Sequence, residues 1–572
     1  MDVDRLFQGL GGFGRFQLSA LVLLSAARLP LPWNFLLHIF LSAVPPHHCR
    51  LPHPGPGNLS RAQRLRTSSP LQPDGTPSPC RMYPSPQLQL LYQPPHLDGQ
   101  HNLSDTVRCT HGWEFDTSQF TSTIATEWDL VCERRRLNQA AGTFFFLGVT
   151  LGGPLFGYLS DRCGRRYVLL LGCLVTATFG TIASFSVGFT MFSITRLLSG
   201  VGLTAVSLTS ITLAVEWTDV KHRALVGATC SLAWSVGNIS LALIAYLLRD
   251  WRWLMLSVSA PCLLLAALCW WIPESARWLL AAGQTERALS ELQRCARVNK
   301  VTTASCLSLE DLEKLVKTDR SQAHSSVCTL VNTPQMRRIT IFSGIIWLGA
   351  AFSYYSISYT VGAFGLDIYL THFIYGAIEV PGKLLAYLLL DTVGRRPAQG
   401  GFLLLTGLLM TLRQLIPKDV PVLLLLVGII AKGSAEAAFT TAFLYTAELF
   451  PTPIRQSGLG YTSLMGRVGA SLTPLVLLLD EFWDFLPHLI FISVTMVAGT
   501  VSFLLPETAH VPLPESIADI EARHQAAAAE SGNDIPLRPL GNGEQHKAEG
   551  TAGSNGRAEG DGPADTVGAE GL

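Results

Sequence analysis

The chain has 572 residues, of which 48% are hydrophobic and only 15% are charged, and its formal net charge at pH 7 is zero. Soluble domains carry about 25% charged residues, so this composition excludes an ordinary soluble protein. The zero net charge indicates neither an acidic nor a basic partner. No segment is typical of a nucleic-acid-binding module, and we expect no nucleic-acid partner, no enzymatic activity, no cofactor and no metal site.

Apolar residues come in blocks of about 20, the length that crosses the hydrocarbon core of a bilayer as an α-helix. We count twelve such blocks, at residues 17–44, 139–159, 167–187, 190–214, 224–247, 253–272, 338–361, 366–390, 398–416, 420–446, 457–479 and 484–505. The pattern predicts an all-α membrane protein with twelve transmembrane helices.

Basic residues orient the predicted bundle, because cytoplasmic loops are enriched in Lys and Arg. The segments "DRCGRR" (161–166) and "DTVGRR" (391–396) and the loop at Arg455 fall on one side of the membrane. That side is predicted to be cytoplasmic, and an even number of spans then places both termini there. The predicted regions are a cytoplasmic N-terminus at 1–16, a first half at 17–272, a cytoplasmic linker at 273–337, a second half at 338–505 and a cytoplasmic tail at 506–572.

Two regions outside the spans have distinctive compositions. After about residue 523 the tail is rich in Gly, Ala and Glu, which predicts disorder. The long loop at about 45–138 is predicted to be extracellular. Its four cysteines can form two disulfides in an oxidising compartment, with three pairings possible; they are Cys49, Cys80, Cys109 and Cys132. Two sequons, at Asn58 and Asn102, are predicted to be glycosylated.

An internal repeat divides the chain into two similar halves. The "DRCGRR" and "DTVGRR" motifs begin 230 residues apart, and the segments "PESARW" (273) and "PETAHV" (506) begin 233 residues apart. Glu216 and Glu448, each seven residues before an arginine, are 232 residues apart. Three pairs at a nearly constant offset predict two parallel six-helix halves, which is the arrangement of the major facilitator fold with a site between the halves.

The repeated motifs place acids and arginines together on the predicted cytoplasmic side. We interpret them as a charge network that stabilises one state of an alternating-access cycle. The alternative is that these charges are solvated topology signals, but acids contribute little to topology. The predicted gating residues are Asp161, Arg165, Arg166, Glu216, Arg223, Asp391, Arg395, Arg396, Glu448 and Arg455.

Six separated motifs resemble the solute carrier 22 group of organic-ion transporters. They are "GRFQ" (14–17), "TEWDLVC" (126–132), "GYLSDRCGRR" (157–166), "PESARWLL" (273–280), "AELFPTPIRQSGLG" (447–460) and "LLPETAHVPLPESIADIE" (504–521). The resemblance covers about 1–523. It implies uniport or exchange of small organic ions across the plasma membrane, basolaterally in some epithelia. The implied partners are small organic anions, a counter-transported anion and membrane lipids.

Arg467 lies inside the eleventh block, twelve residues beyond Arg455. At about 1.5 Å per residue this is about 18 Å along a helix, near the middle of a core about 30 Å thick. A charge there costs at least about 2.5–3.5 kcal/mol and must face the bundle interior or water. Gly466 and Gly469 are expected to leave room beside it. The resemblance implies that an arginine at this position distinguishes anion-transporting members from cation-transporting ones. The alternative is a buried structural ion pair.

Lys383 lies about 12 Å from the cytoplasmic end of the eighth block, eight residues before Asp391. It matches a lysine of the anion-transporting relatives, which implies a contact with substrate. The alternative is an ion pair with Glu379, four residues earlier on the same helix face. Lys432 and Glu436 have the same spacing and are interpreted as a structural pair.

Aromatic residues are the remaining candidates for the site. Tyr354 and Tyr355 match a tyrosine pair that lines the central cavity in the resembled family, and their ring faces and hydroxyls suit flat organic ions. Phe439 and Phe443 can add an aromatic wall, although core packing is the commoner role of such residues. Arg196 opens an Arg-x-x-x-Gly pattern that resembles a facilitator motif tied to the transport cycle. Arg28 is a further deep cation and a weaker candidate.

Three alternative functions remain open. A carrier of organic cations or zwitterions is expected to place an acid, not Arg467, in the eleventh block. A sugar facilitator shares the Gly-Arg-Arg motifs but needs a neutral polar site. A receptor or scaffold without transport activity would use the long loop or the tail, and a flux measurement distinguishes it.

Overall fold

The computed structural model describes residues 11–51, 59–72, 76–87, 106–301, 330–360, 367–417, 419–451, 454–509, 511, 514 and 517–522. The described helices belong to one compact unit, Met1–Glu521. The predicted glycosylation sites Asn58 and Asn102 lie outside the described residues. So do the predicted disordered tail after residue 523 and residues 302–329 of the predicted cytoplasmic linker.

A helix is present at each of the twelve predicted blocks. In chain order they are α1 Arg15–Leu41, α2 Arg135–Cys163, α3 Arg165–Ser184, α4 Phe189–Glu216, α5 Arg223–Leu247, α6 Trp251–Leu268, α7 Pro334–Tyr359, α8 Ile368–Thr392, α9 Arg395–Leu415, α10 Pro421–Leu449, α11 Arg455–Leu477 and α12 Leu486–Ser502.

Ten of these helices are long and apolar enough to cross a membrane, counted over the described residues. The other two are α9 and α12. The α9 helix begins with Arg395 and Arg396 and carries Arg413 in its last turn, which lowers its hydropathy. The α12 helix is apolar but has only 17 residues. The structure therefore confirms an all-helical bundle.

Two helices are broken by proline. In α1 the first segment ends at Arg28 and a second begins at Pro30, followed by a short third turn at His38–Leu41. In α6 a new segment begins at Pro261. Proline has no N–H to donate and clashes with the preceding turn, which accounts for both breaks, whereas α2, α8 and α11 continue through Pro154, Pro381 and Pro474.

The turns after α2 and α8 have the same backbone shape in the two halves. Gly164 and Gly394 both have φ +101°, a conformation that a residue with a Cβ rarely adopts. A Cβ at Gly164 would also meet Oε2 of Glu274, and one at Gly394 would meet Oε2 of Glu507. Glycine is therefore required in both Asp-x-x-Gly-Arg-Arg motifs by conformation and by space.

The two halves meet along the pairs α2/α11 and α5/α8. Between α2 and α11 the hydroxyls of Thr150 and Ser471 lie 3.1 Å apart. Between α5 and α8 the amide of Asn238 donates to Glu379 at 2.8 Å. These contacts place the candidate cations of α8 and α11 at the boundary between the halves, where the repeat predicts the site.

The long loop between α1 and α2 contains two small antiparallel sheets. Strand β1, His47–Cys49, pairs with β4, Trp113–Phe115, and β2, Arg81–Met82, pairs with β3, Val107–Arg108. Disulfides join Cys49 to Cys109 and Cys80 to Cys132. This is one of the three pairings that the sequence allowed. The second disulfide also excludes metal binding by the nearby group of His47, Cys80 and Cys132, because its sulfurs are bonded to each other.

A helix of the linker, Thr285–Val298, packs on the first turn of α1. The backbone N–H of Phe16 donates to Oδ1 of Asn299 at 3.0 Å, and Nε2 of Gln17 contacts Sγ of Cys295 at 3.3 Å. Burial raises the pKa of the Cys295 thiol to about 11, so this thiol stays protonated at neutral pH. The contact joins the linker to the first half of the molecule.

Candidate functional site

Arg467 lies on α11, twelve residues after the first residue of that helix, Arg455. Gly466 and Gly469 were expected to leave room for the guanidinium, but both glycines pack against α7. Space for the guanidinium comes instead from Gly153 on α2, where a Cβ would collide with Nη1 of Arg467. The arginine therefore extends from one half of the molecule toward the other.

The guanidinium of Arg467 has no hydrogen bond and no ion pair with any residue that the structure describes. The residue is only half-buried, and Tyr355 is close enough to interact with it electrostatically. An unpaired charge at this depth must face water or a ligand. The side chain is therefore an open cationic group in the interior of the bundle.

Lys383 has a different environment, because it forms an ion pair with Glu436 of α10 at 3.2 Å. Lys432 in turn pairs with Glu379 of α8 at 3.4 Å. The predicted structural pair of Lys432 with Glu436 is thus wrong, and the alternative pair of Glu379 with Lys383 is not the one observed. Each lysine pairs with the acid of the other helix. All four side chains are buried.

The close approach of α8 and α10 explains this exchange of partners. Gly382 and Gly433 immediately precede Lys383 and follow Lys432 in the sequence. A Cβ on Gly382 would lie 2.7 Å from the carbonyl oxygen of Gly433. Small residues permit such backbone contact between membrane helices, and the long side chains beside them then reach the facing helix.

The four charges are further stabilised by polar groups of α5 and α7. Glu379 accepts hydrogen bonds from Asn238 at 2.8 Å and from the hydroxyl of Tyr354 at 2.5 Å. Lys383 donates to Oγ of Ser235 at 2.6 Å, and the ammonium of Lys432 lies 3.1 Å from the ring centre of Tyr354. The cluster is neutral as a whole, so neither lysine contributes a free positive charge in this state.

The predicted aromatic residues form a continuous group beside these charges. Tyr355 contacts Tyr354, with ring centres 5.2 Å apart, and Phe146 of α2, with ring centres 5.0 Å apart. Phe439 lies between Tyr354 and Trp347, at 6.1 and 5.4 Å. Tyr354 and Tyr355 are buried. The group crosses the boundary between the halves.

Phe443 differs from the other aromatic candidates. Its ring centre lies 6.2 Å from that of Trp347, but 42% of its surface is exposed. It is therefore an edge of the aromatic group, whereas Phe439 is part of the packed wall.

The predicted network of the first half is present at the end of α2. Arg165 pairs with Asp161 at 3.0 Å and with Glu216 at 3.2 Å. Glu274 accepts hydrogen bonds from the backbone N–H groups of Arg165 and Arg166, at the start of α3. Burial raises the pKa of Glu274, and these N–H groups act in the opposite direction. The network joins α2, α3, α4 and the segment after α6.

The second half repeats this arrangement. Arg395 pairs with Asp391 at 3.4 Å and with Glu448 at 3.1 Å. Glu507 accepts hydrogen bonds from the backbone N–H groups of Arg395 and Arg396, at 2.9 and 3.0 Å. Carboxylates at a helix N-terminus satisfy free N–H groups and interact favourably with the helix dipole. Glu274 and Glu507 were not among the predicted residues, although both belong to the duplicated Pro-Glu-Ser/Thr motif.

Both networks connect helices within one half. Of the remaining predicted members, Arg455 donates to the backbone carbonyl of Phe450 at 3.2 Å, and Arg223 lies close enough to Arg455 to interact with it electrostatically. Among the ion pairs given for the described residues, two connect the halves at the opposite end of the bundle. Arg135, at the start of α2, pairs at 2.5 Å with Asp480, after α11, and the neighbouring Arg136 pairs with Glu481.

Arg196 is buried inside the first half. It is 2% exposed, its Nη2 donates to the backbone carbonyl of Asn34 at 3.2 Å, and its guanidinium lies 4.2 Å from the ring centre of Phe145. It joins α4 to α1 and α2 in the first half.

Comparison with known proteins places the chain in a family. The family model described as "Sugar (and other) transporter" matches residues 133–518. Among solved structures, the inward-open conformation of the xylose transporter XylE from E. coli has a TM-score of 0.54 at 20% identity, covering 70% of this chain and 93% of that one. This likeness supports the fold alone.

Curated relatives are much more similar in sequence. Solute carrier family 22 member 7 of Sus scrofa is 43% identical over 550 residues, which cover 94% of this chain and 100% of that protein. The Homo sapiens protein of the same name is 43% identical, with coverages of 95% and 100%. Solute carrier family 22 member 6 of Danio rerio is 39% identical, with coverages of 91% and 95%. These matches confirm the resemblance seen in the motifs: the chain belongs to the solute carrier 22 family of multi-pass membrane transporters, with the fold of the major facilitator superfamily.

Proposed function

We propose that this transporter carries small organic anions across the plasma membrane by alternating access, as a uniporter or an anion exchanger. The open guanidinium of Arg467 carries this proposal. Burying a charge at the bilayer midplane costs at least about 2.5–3.5 kcal/mol, and no described side chain neutralises it. A bound anion offsets that cost, so the cavity favours a negatively charged substrate.

The neighbouring charges also favour an anionic over a cationic substrate. Because Glu379 and Glu436 are paired with lysines, they offer no free acid to an organic cation, which disfavours a cation carrier. In the state described here Lys383 is occupied by Glu436. We therefore assign Arg467 as the anchor for the substrate, and Lys383 as a group that a substrate reaches only in competition with Glu436.

The aromatic group supplies the rest of the binding surface. We propose that Tyr354, Tyr355, Phe439 and Phe443 contact the apolar part of the substrate. Tyr355, which interacts electrostatically with Arg467, contacts both Tyr354 and Phe146 of the other half, and Tyr354 contacts Phe439. An arginine beside aromatic faces suits an aromatic carboxylate, because a carboxylate accepts two parallel hydrogen bonds from a guanidinium and flat rings pack on aromatic side chains.

A flux measurement tests the function. Cells that express the protein should take up labelled organic anions such as benzoate, and a counter-anion loaded inside should accelerate uptake if the mechanism is exchange. A labelled quaternary ammonium ion and a labelled sugar serve as matched controls and should not be taken up. Uptake of the ammonium ion alone would favour a cation carrier, and no uptake of any compound would favour a receptor or scaffold.

For the topology we propose twelve spans, with α9 and α12 completing the ten longer ones, and both termini in the cytoplasm. The loop 45–138 then faces outward, which agrees with its two disulfides, since disulfides persist in oxidising compartments. Location on the basolateral side of epithelia, contacts with membrane lipids and the absence of enzymatic activity belong to the same proposal.

This topology predicts glycans at Asn58 and Asn102. Glycosidase treatment should increase the gel mobility of the protein, and the double variant Asn58→Gln/Asn102→Gln should migrate like the treated wild type. Unchanged mobility of the wild type after treatment would contradict an extracellular loop.

We propose that the two cytoplasmic networks keep each half rigid during the cycle, and that the ion pairs at the outer end stabilise the state in which that end is closed. Arg135 with Asp480 and Arg136 with Glu481 join α2 to the segment after α11. Opening toward the outside must break them. The gating role predicted for the cytoplasmic motifs is thereby proposed for the outer ion pairs instead.

The outer ion pairs give a second testable result. Arg136→Glu should favour the outward-facing state and so lower the external anion concentration for half-maximal uptake. The change should not exceed about fivefold, because exposed ion pairs contribute at most about 1 kcal/mol each. The charge-swapped variant Arg136→Glu/Glu481→Arg should return to the wild-type value. A swapped variant that behaves like the single variant would contradict the pairing.

A further inference from the structure

We propose that Arg28 is a second anion-binding residue, on the cytoplasmic side of Arg467, which receives the acidic group of the substrate as it passes between Arg467 and the cytoplasm. The inference rests on the proposed organic-anion transport and adds a site to it. Arg28 does not belong to either of the charge networks or to the buried charge cluster described above.

Within the part of the chain that the structure describes, the guanidinium of Arg28 donates hydrogen bonds only to uncharged groups. Its Nε donates to the backbone carbonyl of Cys230 at 3.3 Å, and its Nη1 donates to the carbonyl of Ser207 at 3.3 Å and to Oγ of Ser210 at 3.2 Å. These distances are at or beyond the upper end of the usual range for N–H···O bonds, about 2.7–3.2 Å. They satisfy two of its nitrogens weakly and leave the charge uncompensated.

The third nitrogen, Nη2, has no hydrogen bond within the described part of the chain, and no described carboxylate forms an ion pair with Arg28. The residue is half-buried. Arg196 shows the contrasting case in the same half: it is 2% exposed and packs over the ring of Phe145. Arg28 thus combines interior position, uncompensated charge and an open donor, as Arg467 does.

The depth of Arg467 in the bundle can be compared with positions on α4, because two neighbouring glycines of α2 contact Arg467 and α4. Gly153 faces the guanidinium of Arg467, and the preceding residue, Gly152, packs against Val201 and Thr204 of α4. The segment of α4 from Val201 to Thr204 therefore marks the depth of the first anion site.

Arg28 lies below that level. Its partners on α4, Ser207 and Ser210, are three and six residues closer than Thr204 to the end of the helix at Glu216. Measured from the segment Val201 to Thr204 at about 1.5 Å per residue, the displacement is about 5 to 14 Å. Glu216 belongs to the cytoplasmic network, so the displacement is toward the cytoplasm. A step of this length suits transfer of one acidic group between Arg467 and Arg28.

The backbone beside Arg28 is also irregular. Arg28 ends the first segment of α1, and Pro30 begins the next. A Cβ on Gly237 of α5 would meet the carbonyl oxygen of Leu29 at 2.5 Å, so α5 approaches the break closely. At membrane depth, broken helices are tolerated where they line a cavity or are buried in protein, and transporters form binding sites at such breaks.

The test compares the two faces of the transporter. In right-side-out vesicles containing the full-length protein, the half-saturating concentration of labelled benzoate is measured for uptake from outside and for efflux from inside. The variants are Arg28→Gln, Arg28→Met and Arg28→Lys. Arg467→Gln and Arg413→Gln are the controls, the latter at an arginine beside Thr360 at the other end of the bundle. All values are normalised to the amount of transporter in the membrane.

Both neutral variants of Arg28 should raise the half-saturating concentration for efflux about tenfold, as expected when a charge-assisted hydrogen bond is lost. The value for uptake should change by less than about twofold, and Arg28→Lys should be intermediate. Arg467→Gln should raise both values, and Arg413→Gln neither.

Equal changes on both faces, or a loss of membrane protein with both values unchanged, would overturn the role of Arg28. If wild-type vesicles release no organic anion at all, the proposed function itself fails. If they do and the Arg28 variants behave like the wild type, only this inference fails.

Discussion

Replacing Arg467 with Asp is expected to abolish organic-anion uptake while the protein still folds and reaches the cell surface. The attraction between two unit charges 4 Å apart is about 4 kcal/mol at an effective dielectric constant of 20. Half of that already corresponds to a loss of affinity of more than about tenfold, and Asp adds repulsion. The fold should tolerate the change because Arg467 has no ion-pair partner among the described residues, so no buried acid loses its partner.

Arg467→Lys is the matched control for charge. It should retain part of the uptake, because it keeps the positive charge but loses the planar guanidinium that binds a carboxylate with two hydrogen bonds. Uptake must be expressed per molecule at the surface, which surface biotinylation measures. If Arg467→Asp reduced surface protein in proportion to uptake, with normal affinity in the remaining molecules, Arg467 would be a structural residue.

Removing one member of the buried charge cluster is expected to have the second largest effect. Lys383→Ala leaves Glu436 buried without its partner, and breaking a buried pair in this way costs about 3–5 kcal/mol. Because the whole free energy of unfolding of a typical protein is about 5–15 kcal/mol, the amount of Lys383→Ala at the surface should fall severalfold.

Double variants identify the true partner of Lys383. Lys383→Ala/Glu436→Ala removes both members of the observed pair and should restore much of the surface protein. Lys383→Ala/Glu379→Ala should restore none, because it leaves Glu436 and Lys432 each without the partner seen in the structure. If surface protein were restored in Lys383→Ala/Glu379→Ala but not in Lys383→Ala/Glu436→Ala, the pairs would form within helices, which would contradict the observed geometry. Surface biotinylation again provides the measurement.

The restored double variant also separates stability from binding. Since Arg467 remains, Lys383→Ala/Glu436→Ala should still take up organic anions per molecule at the surface. Arg467→Asp should not, even at normal surface levels.

The helices and the repeat could be predicted from the sequence, because bilayer thickness sets the length of apolar blocks and the duplicated motifs recur at a nearly constant offset. The position of Arg467 along α11 followed from counting residues along one helix. These features depend on local composition and on helix geometry.

The exchange of partners between Lys383 and Lys432 could not be predicted in the same way. Residues four apart on one helix are neighbours, so the sequence favours pairs within α8 and within α10. The observed pairs depend on how closely the two backbones approach at Gly382 and Gly433, which is a tertiary distance. The room for Arg467 was likewise assigned to glycines of its own helix, whereas it comes from Gly153 of α2.

The most direct test of the account compares an anion with its neutral isostere. Benzoate and benzamide differ in charge but hardly in shape, and each can compete with uptake of a labelled anion. The measurement is the ratio of their inhibition constants in the wild type and in Arg467→Gln. If Arg467 binds the negative charge, benzoate should be favoured by more than about tenfold in the wild type, and the preference should largely disappear in the variant. An equal preference for benzoate in both proteins would contradict the assignment of Arg467 as the anion anchor.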